Sequence, residues 1–161
     1  MKKAAGTPAT VALQRLGIPY SVHTYEHDPR ATSFGMEAAH ALQLDPACVF
    51  KTLLADLDGS LVVGVVPVTG QLDLKALAAV LGGSRASMAE PDRAARSSGY
   101  VVGGISPIGQ KRVLRTVIDH TAQLYDVVYV SGGKRGMDLG IAPTDLAAAT
   151  NGAFAAITRA T

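Results

Sequence analysis

The sequence predicts an α+β fold, in which a curved mixed β-sheet forms an open, barrel-like core that helices partly cover. Predicted strands outnumber predicted helices, and several strands follow one another through short links. Hydrophobic residues make up 48% of the 161 positions, which is enough for a sizeable core. The length favours one domain over residues 1–161.

The composition excludes several classes of protein. Charged residues make up 17% and the net charge is +2, so the chain is neither a highly charged disordered segment nor a polycation. The single cysteine, Cys48, excludes an internal disulfide and any zinc site built on two or more thiolates. The most apolar run, 61–68, is shorter than the roughly 20 residues that cross a bilayer, and no apolar leader opens the chain. We therefore expect a cytoplasmic protein without a membrane partner.

Local signals place the individual elements. Thr7 can cap a helix that Gly17 ends. Two apolar runs, 49–55 and 61–68, flank an Asp58-Gly59 pair, which is a signal for a hairpin. The other predicted strands lie at 18–25, 85–89, 100–102, 114–119, 125–130, 139–142 and 153–157. The other predicted helices lie at 34–43 (capped by Thr32 or Ser33), from Asp73 to the stop at Gly82-Gly83, at 91–97 and at 143–150.

The histidines and the cysteine do not predict a metal site. His23 and His27 have a spacing that could bind a metal on a helix. On the predicted strand, residues four apart lie about 13 Å from one another, too far to share an ion. His40 falls in a predicted helix and His120 in a predicted loop. Cys48 is expected to be a buried, unreactive thiol.

Lys51 is the only charge on its face of the predicted strand at 49–55. A buried, unpaired lysine is rare, because desolvating its charge is costly. Lys51 could lie on an edge strand, where its charge would prevent pairing with another chain. Alternatively, its aliphatic stem could cover apolar surface while its ammonium group reaches water. It could equally be a cation in a pocket that meets a polarised substrate group. The spacing of the residues does not favour one of these two interpretations over the other.

A glycine-rich loop is predicted at 103–109. Gly103 and Gly104 would let the backbone approach a ligand with its N–H groups, and Pro107 would stiffen the loop. An ordinary tight turn would have the same local sequence pattern. Ser106 does not fit the nucleophile elbow of hydrolases, because Ile108 stands where the second glycine is needed.

A second glycine-rich loop is predicted at 131–136. It matches neither the phosphate-binding loop of nucleotide hydrolases nor a dinucleotide fingerprint. Basic residues gather in and before this loop, which suits contacts with RNA phosphates, although an ordinary solvated loop would look the same. The candidate phosphate ligands are Lys111, Arg112, Lys134 and Arg135.

Five segments, taken together, resemble the YbaK family of bacterial aminoacyl-tRNA deacylases. They are HTYEHDP (23–29), VFKTLLA (49–55), GQLDLK (70–75), GYVVGGISPIGQK (99–111) and YVSGGKRGMDL (129–139). The similarity runs in order over nearly the whole chain and looks closest to the branch that acts on Cys-tRNA(Pro). It implies a free-standing editing protein that hydrolyses a mischarged aminoacyl ester, without a metal or cofactor, and with prolyl-tRNA synthetase as a partner.

The resemblance also implies roles for individual residues. Lys51 is similar to the essential lysine of the family, and Gly103 to Pro107 match its GxxxP loop, in which Gly103 and Gly104 would donate main-chain N–H groups to the oxyanion. The implied substrate-binding residues are Tyr25, Phe34, Thr52, Pro107, Ser131, Gly132 and Asp138. No residue makes a convincing nucleophile, which agrees with the implied attack of the substrate's own thiol on its carbonyl.

Two alternatives remain open from the sequence. The same fold could serve as a non-catalytic RNA- or synthetase-binding module. The protein could also act on another ester, such as Ala-tRNA(Pro) or Cys-tRNA(Cys). The partner in each case is a tRNA or its synthetase, and DNA is not expected.

Overall fold

The computed structural model describes residues 6–160, which form five α-helices and ten β-strands. The helices are α1 (Pro8–Leu16), α2 (Phe34–Ala41), α3 (Leu74–Val80), α4 (Pro91–Ser98) and α5 (Pro143–Thr150). The strands are β1 (Ser21–Thr24), β2 (Phe50–Leu57), β3 (Ser60–Pro67), β4 (Gly70–Leu72), β5 (Ala86–Met88), β6 (Thr116–Asp119), β7 (Val128–Lys134), β8 (Met137–Ile141), β9 (Ala153–Ala155) and β10 (Thr158–Ala160). None of these helices is long and apolar enough to span a membrane.

The strands are divided among three sheets. The largest has five strands in the order β5-β2-β3-β6-β9, with β6 parallel to β3 and to β9 and the other pairs antiparallel. A three-stranded antiparallel sheet has the order β1-β8-β7, and β10 pairs with β4. The α+β class and the mixed sheet are therefore confirmed. The described strands do not close into a barrel.

Both faces of the five-stranded sheet are buried. In β3, Val63 and Val65 point into the larger hydrophobic cluster, while Val62 and Val66 point into a second cluster on the opposite face. This alternation follows from the two-residue period of a strand, and the nearly continuous apolar sequence of β3 is typical of a strand covered on both sides.

Short-range signals predicted several elements correctly. Thr7 caps α1 through its side chain, and Gly17 ends the helix with a positive φ of 69°. Asp58 and Gly59 both have positive φ and join β2 to β3, as a tight hairpin requires. Ser33 is the cap of α2, and α5 has the predicted bounds.

Two local predictions are wrong. Residues 100–102 are not a strand: Val101 begins a turn in which its carbonyl accepts from the N–H of Gly104 at 2.9 Å. The segment 131–136 is not wholly a loop, because β7 continues to Lys134 and pairs with β8, with a register shift between Ser131 and Lys134. The short strands β4 and β10 were not predicted.

The three-stranded sheet meets the start of β2. Tyr129 of β7 forms a parallel bridge with Val49, two residues before Lys51. Ala39 of α2 packs in one cluster with Val49, and Tyr129 packs against that cluster. This junction brings β2, β7, β8 and α2 around one cavity.

Candidate active site

A cavity of about 380 Å³ lies beside β2. Its walls come from β2, α2, β7, β8, the segment 88–94 and the turn at 102–105. The apolar lining includes Leu53, Leu54, Met88, Ala89, Pro91, Ala94, Val102 and Ile105. The polar lining includes Tyr25, Thr52, Ser131, Lys51, Lys134 and Asp138. Mostly apolar walls with a few polar groups are typical of a small-molecule site.

Lys51 lines this cavity from β2, where it stands opposite Val66 of β3. Burial lowers the pKa of its ammonium group, because water is partly excluded from it. Within the described chain, no carboxylate forms an ion pair with Lys51. Its charge is therefore free to act on a group that enters the cavity, as the pocket interpretation of the sequence expects.

Asp138 faces the same cavity from β8, the central strand of the three-stranded sheet. It stands opposite Ser131 of β7 and His23 of β1. Only 6% of Asp138 is exposed, and this burial raises the pKa of its carboxyl group from 3.8 to about 6. Near neutral pH, the cavity therefore holds a desolvated negative charge.

Three hydroxyl groups surround these charges. Burial, followed by the charges of Asp138 and Glu37, raises the pKa of Tyr25 to about 12, so its phenol stays neutral. Ser131 accepts a hydrogen bond from the N–H of Gly133 at 3.2 Å. The hydroxyl of Thr52 is buried and has no hydrogen-bond partner among the described residues. The cavity therefore offers hydroxyl groups that could donate to a ligand.

Phe34, Arg135 and Gly103 pack together at the cavity. The guanidinium of Arg135 lies 5.1 Å from the centre of the Phe34 ring and donates to the carbonyl of Val102 from Nε at 2.9 Å and from Nη2 at 2.7 Å. Gly103 has a φ of 88°, and a Cβ there would lie 2.9 Å from both Phe34 and Arg135. Only glycine fits this position without strain. Arg135 holds the turn that carries Gly103, and its role as a phosphate ligand remains a prediction.

Three of the residues predicted to be catalytic or to bind the aminoacyl group do not line the cavity. The N–H of Gly104 already donates to Val101, and a Cβ on Gly104 would lie 2.8 Å from the Cα of Lys134, so this glycine serves close packing and is not a free main-chain donor. Pro107 lines a separate cavity of about 170 Å³. The carbonyl of Gly132 accepts from the Thr7 hydroxyl at 2.6 Å, which ties β7 to the start of α1.

The basic residues are distributed over two places. Lys134 lines the larger cavity and is exposed. Lys111 and Arg112 are exposed, and their backbone N–H groups donate to Ser98 and Ser97 at the end of α4. Arg112 also lines the smaller cavity. A phosphate role for these residues remains a prediction.

The other two nucleophile candidates, Ser106 and Cys48, are buried and do not line the cavity. Ser106 is fully buried, and its Oγ accepts from the N–H of Ile108 at 3.2 Å. Cys48 is 8% exposed, and burial raises the pKa of its thiol. His27 contacts Glu37 at 2.8 Å. Over residues 6–160, no group of three His, Cys, Asp or Glu side chains is arranged to hold a metal ion.

Sequence reasoning missed most of the cavity wall. Met88, Ala89, Pro91 and Ala94 come from β5 and α4, far along the chain from Lys51. Apolar residues of this kind carry no chemical signature, so only the pairing of β5 with β2 reveals their position. Thr32 and Ser33 were predicted as helix caps, and both also line the cavity.

Comparison with known proteins identifies the family. The family profile described as "Aminoacyl-tRNA editing domain" matches residues 27–149. The chain belongs to this family. The resemblance to the YbaK family, inferred from the five sequence segments, is thereby confirmed.

Relatives of the editing-domain family match nearly the full chain. A protein of Enterococcus faecalis, named as a candidate Cys-tRNA(Pro)/Cys-tRNA(Cys) deacylase, EbsC, is 34% identical over 154 residues, covering 94% of this chain and 93% of that protein. The crystal structure of a candidate trans-editing enzyme for prolyl-tRNA synthetase superposes with a TM-score of 0.81 at 22% identity, covering 97% of this chain and 99% of the other. A hypothetical protein of known structure superposes with a TM-score of 0.85 at 21% identity, covering 95% and 100%. At these identities the two structures establish a shared fold.

The matched editing domain contains the main chemical groups of the cavity. Lys51, Gly103, Ser131 and Asp138 all fall within residues 27–149. Tyr25 lies just before the matched segment, and its N–H donates to the carbonyl of Gly136 at 2.9 Å, which fixes it beside the start of β8. The cavity is therefore built by the matched segment together with Tyr25, the residue that follows β1.

Proposed function

We propose that this protein is a free-standing aminoacyl-tRNA deacylase whose substrate is Cys-tRNA(Pro), with Cys-tRNA(Cys) as a second substrate. Membership of the aminoacyl-tRNA editing family and the deacylase name of the Enterococcus relative support hydrolysis of an aminoacyl ester. The observation that carries the proposal is the unpaired, partly buried Lys51 inside a cavity of about 380 Å³. The proposed place of action is the cytoplasm, where tRNAs are charged.

In this proposal the cavity receives the aminoacyl group, and the terminal ribose stays at its mouth. The ammonium of Lys51 faces the ester carbonyl and stabilises the negative charge that develops on its oxygen. The N–H of Gly103 is a candidate second donor, since no partner for it occurs among the described hydrogen bonds. Hydrogen-bond donors that are fixed in place before the reaction stabilise the developing charge more than mobile water does, because they need not reorganise.

The proposed nucleophile is the thiol of the substrate. The described residues that line the cavity include neither histidine nor cysteine, so no Ser–His or Cys–His pair is present there. The substrate sulfur attacks the ester carbonyl carbon, and the C–O bond to the ribose breaks. The thiol proton ends on the ribose oxygen, which leaves free tRNA and a four-membered thiolactone. Water then opens this strained ring to cysteine.

This mechanism explains how the site could select cysteine. Size alone discriminates weakly between small side chains, because one methylene changes binding by only about 1–3 kcal/mol. A substrate thiol held near its own carbonyl gains the advantage of an intramolecular reaction, which serine and alanine lack or use less well. Selection would therefore rest on chemistry more than on the shape of the cavity.

Recognition of the tRNA is proposed to be largely non-specific. Lys134 lines the cavity and is exposed, and Lys111 and Arg112 are exposed outside it, so all three can contact phosphates without reading bases. Choice of tRNA would then come from prolyl-tRNA synthetase, acting as a partner. Hydrolysis without synthetase should accordingly be similar for Cys-tRNA(Pro) and Cys-tRNA(Cys).

A panel of aminoacyl-tRNAs tests the function. Purified protein is mixed with tRNA(Pro) charged with cysteine, serine, alanine or proline, and loss of each ester is followed against its spontaneous rate. The proposal expects rapid loss of the cysteinyl ester alone. Equal loss of alanyl and cysteinyl esters would replace the thiol mechanism with a general deacylase, and no acceleration of any ester would indicate a binding module.

A further inference from the structure

The buried carboxylate of Asp138 is not explained by the folded chain itself. Among the described residues, Asp138 forms no ion pair and no hydrogen bond through its side chain, although it is 94% buried by area. Its neighbours in β8, Met137 and Leu139, are buried hydrophobic residues. A buried charge without a partner destabilises a fold, so a functional reason for this residue is expected.

Asp138 is the only acidic residue on the described lining of the cavity. The other charges there are Lys51 and Lys134. Lys134 is exposed at the cavity, whereas Asp138 lies deep in the sheet, and the two do not form an ion pair. The cavity thus presents one desolvated cation and one desolvated anion to any group that enters.

An aminoacyl ester carries the complementary pair of groups. Its carbonyl oxygen becomes negative during hydrolysis, and its α-ammonium is positive and lies on the next carbon atom. Lys51 attracts the oxygen and repels the ammonium, while Asp138 attracts the ammonium. A ligand with both groups can therefore enter the cavity in one orientation that satisfies both charges.

We propose that Asp138 is the counter-ion of the substrate's α-ammonium, and that the site accepts only esters with a free α-amino group. This inference rests on the proposed deacylase function and names its substrate class more narrowly. Esters with an acylated nitrogen, such as peptidyl- or N-formyl-aminoacyl-tRNA, carry no positive charge there and would leave Asp138 unpaired. A hydrogen bond between charged groups in such a site favours the ammonium by about 10- to 100-fold.

The decisive comparison removes the amine without adding bulk. Wild-type protein is assayed on Cys-tRNA and on tRNA acylated with 3-mercaptopropanoate, which keeps the thiol and the ester but lacks the amine. Each rate is divided by the spontaneous hydrolysis rate of the same ester, because the ammonium also activates the ester in water. We expect kcat/KM, corrected in this way, to be about 10- to 100-fold lower for the mercaptopropanoyl ester.

The same two substrates are then tested on Asp138→Asn, a substitution of nearly equal size. The variant should lose activity on Cys-tRNA by about the same 10- to 100-fold factor and keep its activity on the mercaptopropanoyl ester. Asp126→Asn, which changes the same charge at an exposed position outside the cavity, serves as the control and should leave both rates unchanged.

Each outcome decides between the role in recognition and a merely structural role. If Asp138→Asn lost activity equally on both substrates, Asp138 would have only a structural role and the inference would be overturned. Equal corrected rates on both substrates in the wild-type protein would also overturn it, whatever the variant does, while the deacylase function would stand. Failure of the wild-type protein to hydrolyse Cys-tRNA would refute the proposed function itself, and the inference with it.

Discussion

Replacing Asp138 with asparagine should stabilise the fold at neutral pH while it harms the reaction. The native carboxylate is charged above its pKa of about 6, and the folded chain gives that charge no partner among the described residues. Asparagine has nearly the same shape and remains neutral. A stabilising substitution inside a functional cavity is the usual sign that a residue is kept for function at some cost in stability.

The size of the effect follows from the pKa of Asp138. Burial raises it from 3.8 to about 6, and each pKa unit corresponds to about 1.4 kcal/mol, so the charged form costs about 3 kcal/mol. Because folding raises this pKa, the folded state binds the proton more tightly than the unfolded state. This contribution to stability is present at low pH and is lost as the pH rises through about 6.

The assay is urea unfolding of the wild-type protein and of Asp138→Asn over a range of pH. The free energy of unfolding of the variant should exceed that of the wild type by about 3 kcal/mol near pH 7.5, and the difference should shrink towards zero near about pH 4. Expressing the result as a difference between two proteins removes the contributions of the other titratable groups, which are common to both.

Asp119 offers a matched control with the opposite sign. It is 1% exposed, but it accepts hydrogen bonds from the Thr121 hydroxyl at 2.6 Å and from the N–H of Ile157 at 2.9 Å. Burial raises the pKa of Asp119, and these hydrogen bonds outweigh burial and lower it. Asp119→Asn should therefore destabilise the protein at neutral pH, and less so as the pH falls. If Asp138→Asn behaved like Asp119→Asn, Asp138 would have a partner in the fold and the reasoning above would be refuted.

Three further substitutions test other parts of the site. Gly103→Ala should lower kcat more than it lowers stability, because the side chain would meet Phe34 and Arg135 at 2.9 Å and strain a φ of 88°; unchanged turnover would remove Gly103 from the reaction. Arg135→Met should lower kcat by freeing the turn at Val102, with an unchanged salt dependence of KM. Its neighbour Lys134→Met should instead reduce the salt slope of tRNA binding by about 1, and an identical salt response in these two variants would contradict the separate roles.

The parts of the fold predicted from sequence are those that local interactions decide. The cap at Thr7, the stop at Gly17 and the turn at Asp58-Gly59 each depend on a few neighbouring residues. Tyr100–Val102 has the composition of a strand, but the Tyr100 hydroxyl donates to the carbonyl of Ile108 at 2.6 Å and the segment turns back on itself. A contact of this kind depends on the packed fold and has no local signature.

The residues of the candidate site also differ in how far the sequence alone could predict them. Lys51 could be singled out because a charge on an apolar strand face is unusual, whereas Asp138 came only from the resemblance to a family. The glycines at 132 and 133 suggested a loop, yet they form an irregularity within β7, whose flanking residues Ser131 and Lys134 both pair with β8. The apolar wall from β5 and α4 depends on strand pairing between distant residues, such as Ala55 with Met88, which neither composition nor periodicity encodes.

The most direct test of the account is the rate of Cys-tRNA(Pro) hydrolysis by Lys51→Ala, measured under single-turnover conditions beside the wild-type protein and with Pro-tRNA(Pro) as the control ester. The account predicts that the wild type accelerates loss of the cysteinyl ester alone. It also predicts that Lys51→Ala lowers that rate by about 100- to 1000-fold, with a urea midpoint no lower than that of the wild type. A folded Lys51→Ala variant that hydrolyses Cys-tRNA(Pro) at the wild-type rate would contradict the account.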